Sequence, residues 1–293
     1  MKKQMLVPLV HLLLLSALAA QDASFLVSPQ WIKDHQQDPT LVIVQVNYMR
    51  YDYDKEHIAG ARFLWSDWLA PDSPDGAFNV PDTKKATAVL RQLGVSKNSK
   101  VVICHTRGDV SVAARMFLTL EHLGLQGQVF FLNGGLDAWK RAGYPVTTQV
   151  PVVKKGNFKA SPGNLIVGKD YVLQALHSST SAVVDARAKR FYDGDPTGNP
   201  RDGHITGALN IPYLELLDSA TYVFKPVPEL EKTYFAPVVP DKGKEIVTYC
   251  FIGQTASVVY MAGRLLGYRM KLYDGSMQEW SRREELPMEK TKK

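Results

Sequence analysis

Two motifs occur twice in this chain, in the same order and about 145 residues apart, and no other feature restricts its possible folds so strongly. His57-Ile58-Ala59-Gly60-Ala61 returns as His204-Ile205-Thr206-Gly207-Ala208. Leu132-Asn133-Gly134-Gly135-Leu136-Asp137-Ala138-Trp139 returns as Tyr273-Asp274-Gly275-Ser276-Met277-Gln278-Glu279-Trp280. So long a period exceeds any solenoid unit and marks duplication of a whole domain. With 293 residues and 45% apolar content, each half has enough material for a core of its own.

Within each half, short β-branched runs alternate with helical stretches. The runs are Leu41 to Val46, Val101 to Ile103, Val129 to Leu132, Ala182 to Val184 and Ile246 to Tyr249. The helical stretches include Ala86 to Leu93, stopped by Gly94, then Val112 to His122, and Val258 to Leu266, stopped by Gly267. The alternation predicts an α/β fold, each half a parallel sheet flanked by helices. Residues 149–164 have no periodicity and carry Pro151, Lys154, Lys155, Gly156, Pro162 and Gly163, so they read as the linker between domains at 22–148 and 165–290.

The first twenty residues read as a secretory signal: basic Met1-Lys2-Lys3, an apolar run from Met5 to Leu15, and cleavage near Ala19 or Ala20. A retained N-terminal anchor is the alternative, although the run is short for a membrane span. Export predicts a periplasmic or secreted protein with no membrane association beyond the signal. The formal charge is +6 and falls to about +4 without Lys2 and Lys3, mildly favouring small anions. Apart from Lys154-Lys155 and Lys290-Thr291-Lys292-Lys293 the basic residues are scattered, so nucleic acid is not an expected partner. No Cys/His spacing suits zinc and no glycine-rich nucleotide loop occurs.

Cys250-Phe251-Ile252-Gly253-Gln254-Thr255-Ala256-Ser257 stands directly after the strand-like Lys244 to Tyr249 and before a helix. A short loop there converges backbone N–H groups and a positive helix end on the thiol, which favours its anion and brings thiols to pKa values of roughly 3.5–7.5. Gly253 permits the tight curvature, and Thr255 and Ser257 can donate hydroxyls to a sulfur anion or a bound oxyanion. The reading requires a sulfur that is ionised and open to solutes. The alternative is a buried core cysteine beside a strand.

These features together resemble the tandem rhodanese family of sulfurtransferases. The resemblance rests on Asp185-Ala186-Arg187, the run Gly203 to Pro212, the loop Cys250 to Ala256, and Tyr273-Asp274-Gly275-Ser276 with Glu279-Trp280, which occur in the family's order. It implies two rhodanese-like domains, the first vestigial and the second active, with the site in the cleft between them. It also implies a ping-pong reaction in which the Cys250 thiolate takes the outer sulfur of a small anionic donor such as thiosulfate, and cyanide or a thiol removes it. Neither metal nor organic cofactor is implied. The six-residue loop from Cys250 through Thr255 matches the sulfur-transferring form and not the longer loop of related phosphatases. Phe251, Ile252 and Gln254 stand where thiosulfate-preferring members often carry basic residues, yet Ile252-Gly253 matches some bacterial thiosulfate relatives. Mercaptopyruvate-type members usually have a small residue at the position of Phe251 and an aspartate at that of Trp65, with Asp67 near here. Thiosulfate is therefore the expected donor. Mercaptopyruvate, and a non-catalytic sulfur carrier or binding protein with this fold, are the alternatives.

An anionic donor needs positive charge, and Arg187, Arg190 and Arg201 are the candidates. Arg187 following Asp185 also reads as an internal salt bridge. Arg190 lies one position before Phe191, where vertebrate-type members place a substrate arginine, and Arg201 precedes His204 in a segment the family uses near the donor. Because His57 and His204 recur in both halves, they read as hydrogen bonds that fix a loop, not as catalytic bases. Trp139 and Trp280 read as core. Cys104, aligned on its strand, coincides with Cys250. Aligned from the following helix, the loop position is Thr106, and Cys104 reads as structural, with a second sulfur site as the alternative. Arg107-Gly108-Asp109 is a chance tripeptide. A Cys104–Cys250 disulfide would need Cα atoms within about 7 Å and would silence the site.

Overall fold

The structure, a computed structural model, describes residues 25–73, 76–106 and 108–291. The signal segment, Arg107, Lys292 and Lys293 lie outside the described residues.

The strands are β1 (Leu26–Val27), β2 (Leu41–Asn47), β3 (Arg62–Trp65), β4 (Lys100–His105), β5 (Val129–Leu132), β6 (Ile166–Val167), β7 (Ser181–Asp185), β8 (His204–Ile205), β9 (Leu209–Asn210), β10 (Glu245–Tyr249), β11 (Arg269–Tyr273) and β12 (Met288–Glu289). Ten of them form two parallel five-stranded sheets, ordered β1-β5-β4-β2-β3 and β6-β11-β10-β7-β9, and β12 pairs antiparallel with β8. Each strand of the first sheet has its counterpart at the same place in the second, so the duplication seen in the motifs extends to topology. The central strands carry near-continuous Val/Ile runs because both sheet faces are covered.

The expected helices form as Thr83–Gln92, Val110–Leu120 and Ala256–Leu265. Gly94 and Gly267, at φ of 76° and 83°, follow the first and last of them in the left-handed conformation that stops a helix. All eleven residues of Val110–Leu120 are buried, because this helix packs on Ala256–Leu265 of the other half and one apolar cluster runs through both domains. The segment 149–164 does not hang free. Gly156 and Phe158 donate to Arg91 and Val95, Ser161 and Gly163 donate to Leu123 and His122, and Phe158 and Ala160 are buried. No helix among the described residues is long and apolar enough to cross a membrane.

The repeated landmarks are structural in both halves. His57 and His204 each donate through Nδ1 to a tyrosine carbonyl, of Tyr53 and Tyr192, at 2.7 Å. Each imidazole also stacks on that tyrosine's ring, at 3.9 and 3.7 Å. The two tyrosine hydroxyls then donate to Ala61 and Ala208. Trp139 and Trp280 are buried, with their indole N–H groups on Pro145 and Pro287.

Candidate active site

Cys250 follows β10 at the C-terminal end of the second sheet, where crevices of open parallel sheets form. The loop after it turns through Gly253 at φ 77° and enters the Ala256–Leu265 helix with Thr255 as its N-cap. None of the backbone N–H groups of residues 251–256 donates to a described residue. Six consecutive unpaired donors in the loop that follows one thiol, at the positive end of a ten-residue helix, are what an anion cradle requires. Its far wall is the 274–278 turn, where Cys250 N–H donates to Ser276 Oγ at 3.2 Å while Met277 N–H and Gln278 N–H donate back to the Cys250 and Phe251 carbonyls. Ser276 holds this place at φ 48°, a left-handed conformation costly for a residue with a side chain, and its hydroxyl donates to the Tyr273 carbonyl.

Several expectations need correction. The sulfur is not open to solutes: Cys250 is 1% exposed and sits in the apolar cluster with Val184, Ala186 and Ile246 beneath the helix that follows it. Half-buried Tyr213, Tyr222 and Ile252 pack against that cluster. The thiol is nevertheless free, as is that of Cys104, so no disulfide ties them.

Ser257 does not point its hydroxyl at the sulfur; it donates to the Gly253 carbonyl at 3.2 Å. Gln254 turns away as well, its Nε2 donating to Ser111 Oγ of the other domain at 2.8 Å. Thr255 makes no side-chain cap bond, which leaves its hydroxyl available to the cradle.

The arginines divide. Arg201 is spent: its Nε, Nη1 and Nη2 reach the carbonyls of Ser281, Leu286, Trp280 and Arg283, so it clamps the 280–286 turn and does not face a donor. Arg187 is buried and forked onto Asp185, Nη2 to Oδ2 at 2.6 Å, with a further bond to the Gly203 carbonyl. The salt bridge raises the guanidinium pKa against the lowering effect of burial. Its guanidinium also lies 5.0 Å from the Phe251 ring centroid, so the pair braces the loop from the side. Arg190 is exposed, stacked at 4.5 Å over Phe191, whose ring meets Phe251 edge-on at 5.2 Å. Of the three, only Arg190 presents its charge to solvent beside the loop.

Strand register decides the position of Cys104. In the first sheet Gln45 pairs with Cys104 and Phe63; in the second, Asp185 pairs with Tyr249 and Asn210. Cys104 therefore occupies the rung of Tyr249, and His105 that of Cys250, which corrects the strand-based alignment by one residue. A shift of one residue reverses the face. Cys104 packs with Ile43, Val102 and Trp139 on the side equivalent to that of Tyr249 and Trp280. It is fully buried, and desolvation pushes its thiol pKa far above the ordinary value. In place of the Asp185–Arg187 ion pair the first half has an amide network without a cation: Gln45 donates to Asn47, and Asn47 to Thr106 and Asp109.

Ser276, Ser111, Tyr213 and Arg115 were not singled out as site residues from the sequence. Ser276 stood inside a repeated motif where its counterpart is Gly135, and that difference was its only local signal. Arg115 had none, since its contact lies 138 positions away.

Residues 28–142 and 169–283 each match the Rhodanese-like domain model. The 3-mercaptopyruvate sulfurtransferase of Escherichia coli (strain K12) is 29% identical over 284 residues, covering 92% of this chain and 99% of that protein. The sulfur carrier protein TtuD of Thermus thermophilus is 30% identical, covering 90% and 96%. The thiosulfate sulfurtransferase of Azotobacter vinelandii is 27% identical, again covering 90% and 96%. The crystal structure of SseA from Escherichia coli, a 3-mercaptopyruvate sulfotransferase, superposes with a TM-score of 0.75 at 27% identity, covering 86% of this chain and 98% of that one. Two matched domains, spanning most of the chain and folded alike, place it in the rhodanese family of sulfurtransferases.

Proposed function

We propose that this chain moves the outer sulfur of thiosulfate to cyanide or a thiol through a persulfide on Cys250. The observation that carries this reading is the cradle of unpartnered amides at residues 251–256 around a free thiol at a helix N-terminus. The Cys250 thiolate attacks the outer sulfur; the S–S bond of thiosulfate breaks, sulfite leaves with the bonding pair, and the cradle holds the persulfide anion. Cyanide then attacks the terminal sulfur, thiocyanate departs, and the electron pair returns to Cys250. Because the thiol is 1% exposed, each half-reaction needs the side chains over it to part, and Tyr213, Tyr222 and Ile252 are the half-buried candidates.

Thiosulfate is favoured over mercaptopyruvate by the fate of the arginines. An α-keto carboxylate asks for a guanidinium fork with two free N–H groups; Arg201 is spent on carbonyls, and Arg187, forked onto Asp185, keeps only its Nη1 without a partner. A compact sulfur oxyanion needs only the amides, Thr255 and the charge of Arg190. The relatives carry both specificities in their names, so the test is direct: kcat/KM for each donor with cyanide as acceptor, and intact mass after donor treatment. A higher kcat/KM for thiosulfate and one added sulfur, removed by cyanide and absent from Cys250→Ser, support the proposal. A higher value for mercaptopyruvate reverses the donor assignment, sulfur loading without turnover favours a non-catalytic carrier, and a wild-type protein that loads no sulfur favours a binding protein with this fold. We also propose export to the periplasm or beyond, which N-terminal sequencing of the mature protein checks.

A further inference from the structure

We infer that Arg115, in the half that lacks the sulfur loop, is a positioning residue for that loop, resting here on the reading of Cys250 as the sulfur carrier. Arg115 is fully buried and crosses the domain interface to two points of the cradle. Its Nη1 donates to the Gly253 carbonyl at 3.2 Å and its Nη2 to Asp274 Oδ1 at 2.6 Å. Gly253 lies at the crown of the loop after Cys250, and Asp274 opens the turn whose Ser276, Met277 and Gln278 bond to Cys250 and Phe251. One guanidinium thus ties the two walls of the cradle together. Its Nε donates to nothing among the described residues, so the two loop contacts are the hydrogen bonds that orient the guanidinium.

Two neighbours strengthen the grip. Ser111 lies one helical turn before Arg115, on the same face, and receives Gln254 Nε2, so residues 111 and 115 hold adjacent loop residues 254 and 253. Val80 N–H of the first half donates to the second oxygen of Asp274, at 3.0 Å. The fit is close: a Cβ at Gly253 would stand 2.9 Å from Arg115 Nη1. Glycine at 253 therefore serves the passage of Arg115 as well as the turn.

A second ion pair, with its carboxylate buried and its guanidinium partly exposed, crosses the same interface, with Glu121 accepting from Arg264 at 2.5 Å and from Tyr260 at 2.9 Å. It touches no residue of the loop and serves as the control for mere adhesion between domains. The experiment compares full-length wild type with Arg115→Lys, with Arg115→Met/Asp274→Asn, which leaves no unpaired buried charge, and with Glu121→Gln. Three readouts are taken: deuterium uptake of peptides covering 250–256, alkylation of Cys250 by iodoacetamide between about pH 6 and pH 9, and kcat and KM with thiosulfate and cyanide. The expected result for both Arg115 variants is faster uptake at 250–256, a displaced alkylation profile, and kcat lower by about tenfold or more with KM within about threefold. Glu121→Gln lowers the Tm and changes none of the three. The inference is overturned if the Arg115 variants match wild type or Glu121→Gln in uptake and alkylation. Failure of the wild type to load sulfur would sink the transfer reading instead, while uptake and alkylation would still decide the role of Arg115.

Discussion

The two halves of this protein share a strand order, a His–Tyr stack and a buried tryptophan, yet among the described residues it is the second that sets a sulfur beside a run of unpaired amides. The difference lies in three places. At the end of the second strand of each sheet, Asp185 and Arg187 form a buried ion pair where the first half has a Gln45–Asn47 amide network without a cation. On the next rung, Cys250 stands where the first half has His105. In the facing turn, Ser276 accepts the Cys250 N–H, whereas Gly135 leaves no room for a side chain: a Cβ there would lie 2.2 Å from the His105 carbonyl. A duplicated fold keeps its scaffold because packing demands it, while loop chemistry can diverge at little cost to the core.

The sharpest way to break the comparison is to exchange the sulfur. Cys250→Ser is expected to lower thiocyanate formation by about 10³-fold or more, and an active variant would transfer the role to the other half. Next comes the ion pair. Arg187→Met leaves the Asp185 carboxylate buried alone and is expected to cost about 3–5 kcal/mol in urea unfolding, with most of the loss recovered when Asp185→Asn is added. The turn gives a reciprocal pair of smaller effects. Gly135→Ser forces a side chain against the His105 carbonyl and is expected to cost about 2 kcal/mol. Ser276→Ala orphans the buried Cys250 N–H at about 1–3 kcal/mol and lowers kcat, whereas a merely spatial role for Ser276 would leave kcat unchanged. The smallest effect is expected at Cys104→Ala: about 1 kcal/mol of stability, and sulfur transfer within about twofold of wild type. In native protein at pH 8, iodoacetamide should label Cys250 and spare Cys104, whose thiol burial keeps protonated. Labelling of Cys104 at a comparable rate would contradict its placement in the core.

Five inner strands, β2, β4, β5, β7 and β10, three of the helices and the loop with its glycine turn were legible in the sequence, since each depends on local periodicity or on a residue's own backbone freedom, and the halving of the chain was legible in its repeated motifs. The Asp185–Arg187 pair was legible for the same reason, its members being two residues apart. Arg201 looked equally promising by position, and only folding showed it spent on carbonyls about eighty residues later in the chain. The alignment of Cys104 with Cys250 failed by one residue, an error no composition could reveal because pairing across the sheet sets the register.

By itself, then, the sequence determined the α/β class, the duplication and the identity of the loop that could cradle an anion, all of them properties of short segments. Which way each sulfur faces, how deeply Cys250 is buried, and the hold of Ser111 and Arg115 on the loop were decided by the tertiary structure alone. The first follows from strand pairing within each sheet, and the last from contacts between segments more than a hundred residues apart, whose geometry exists only once two packed domains bring them within hydrogen-bonding distance.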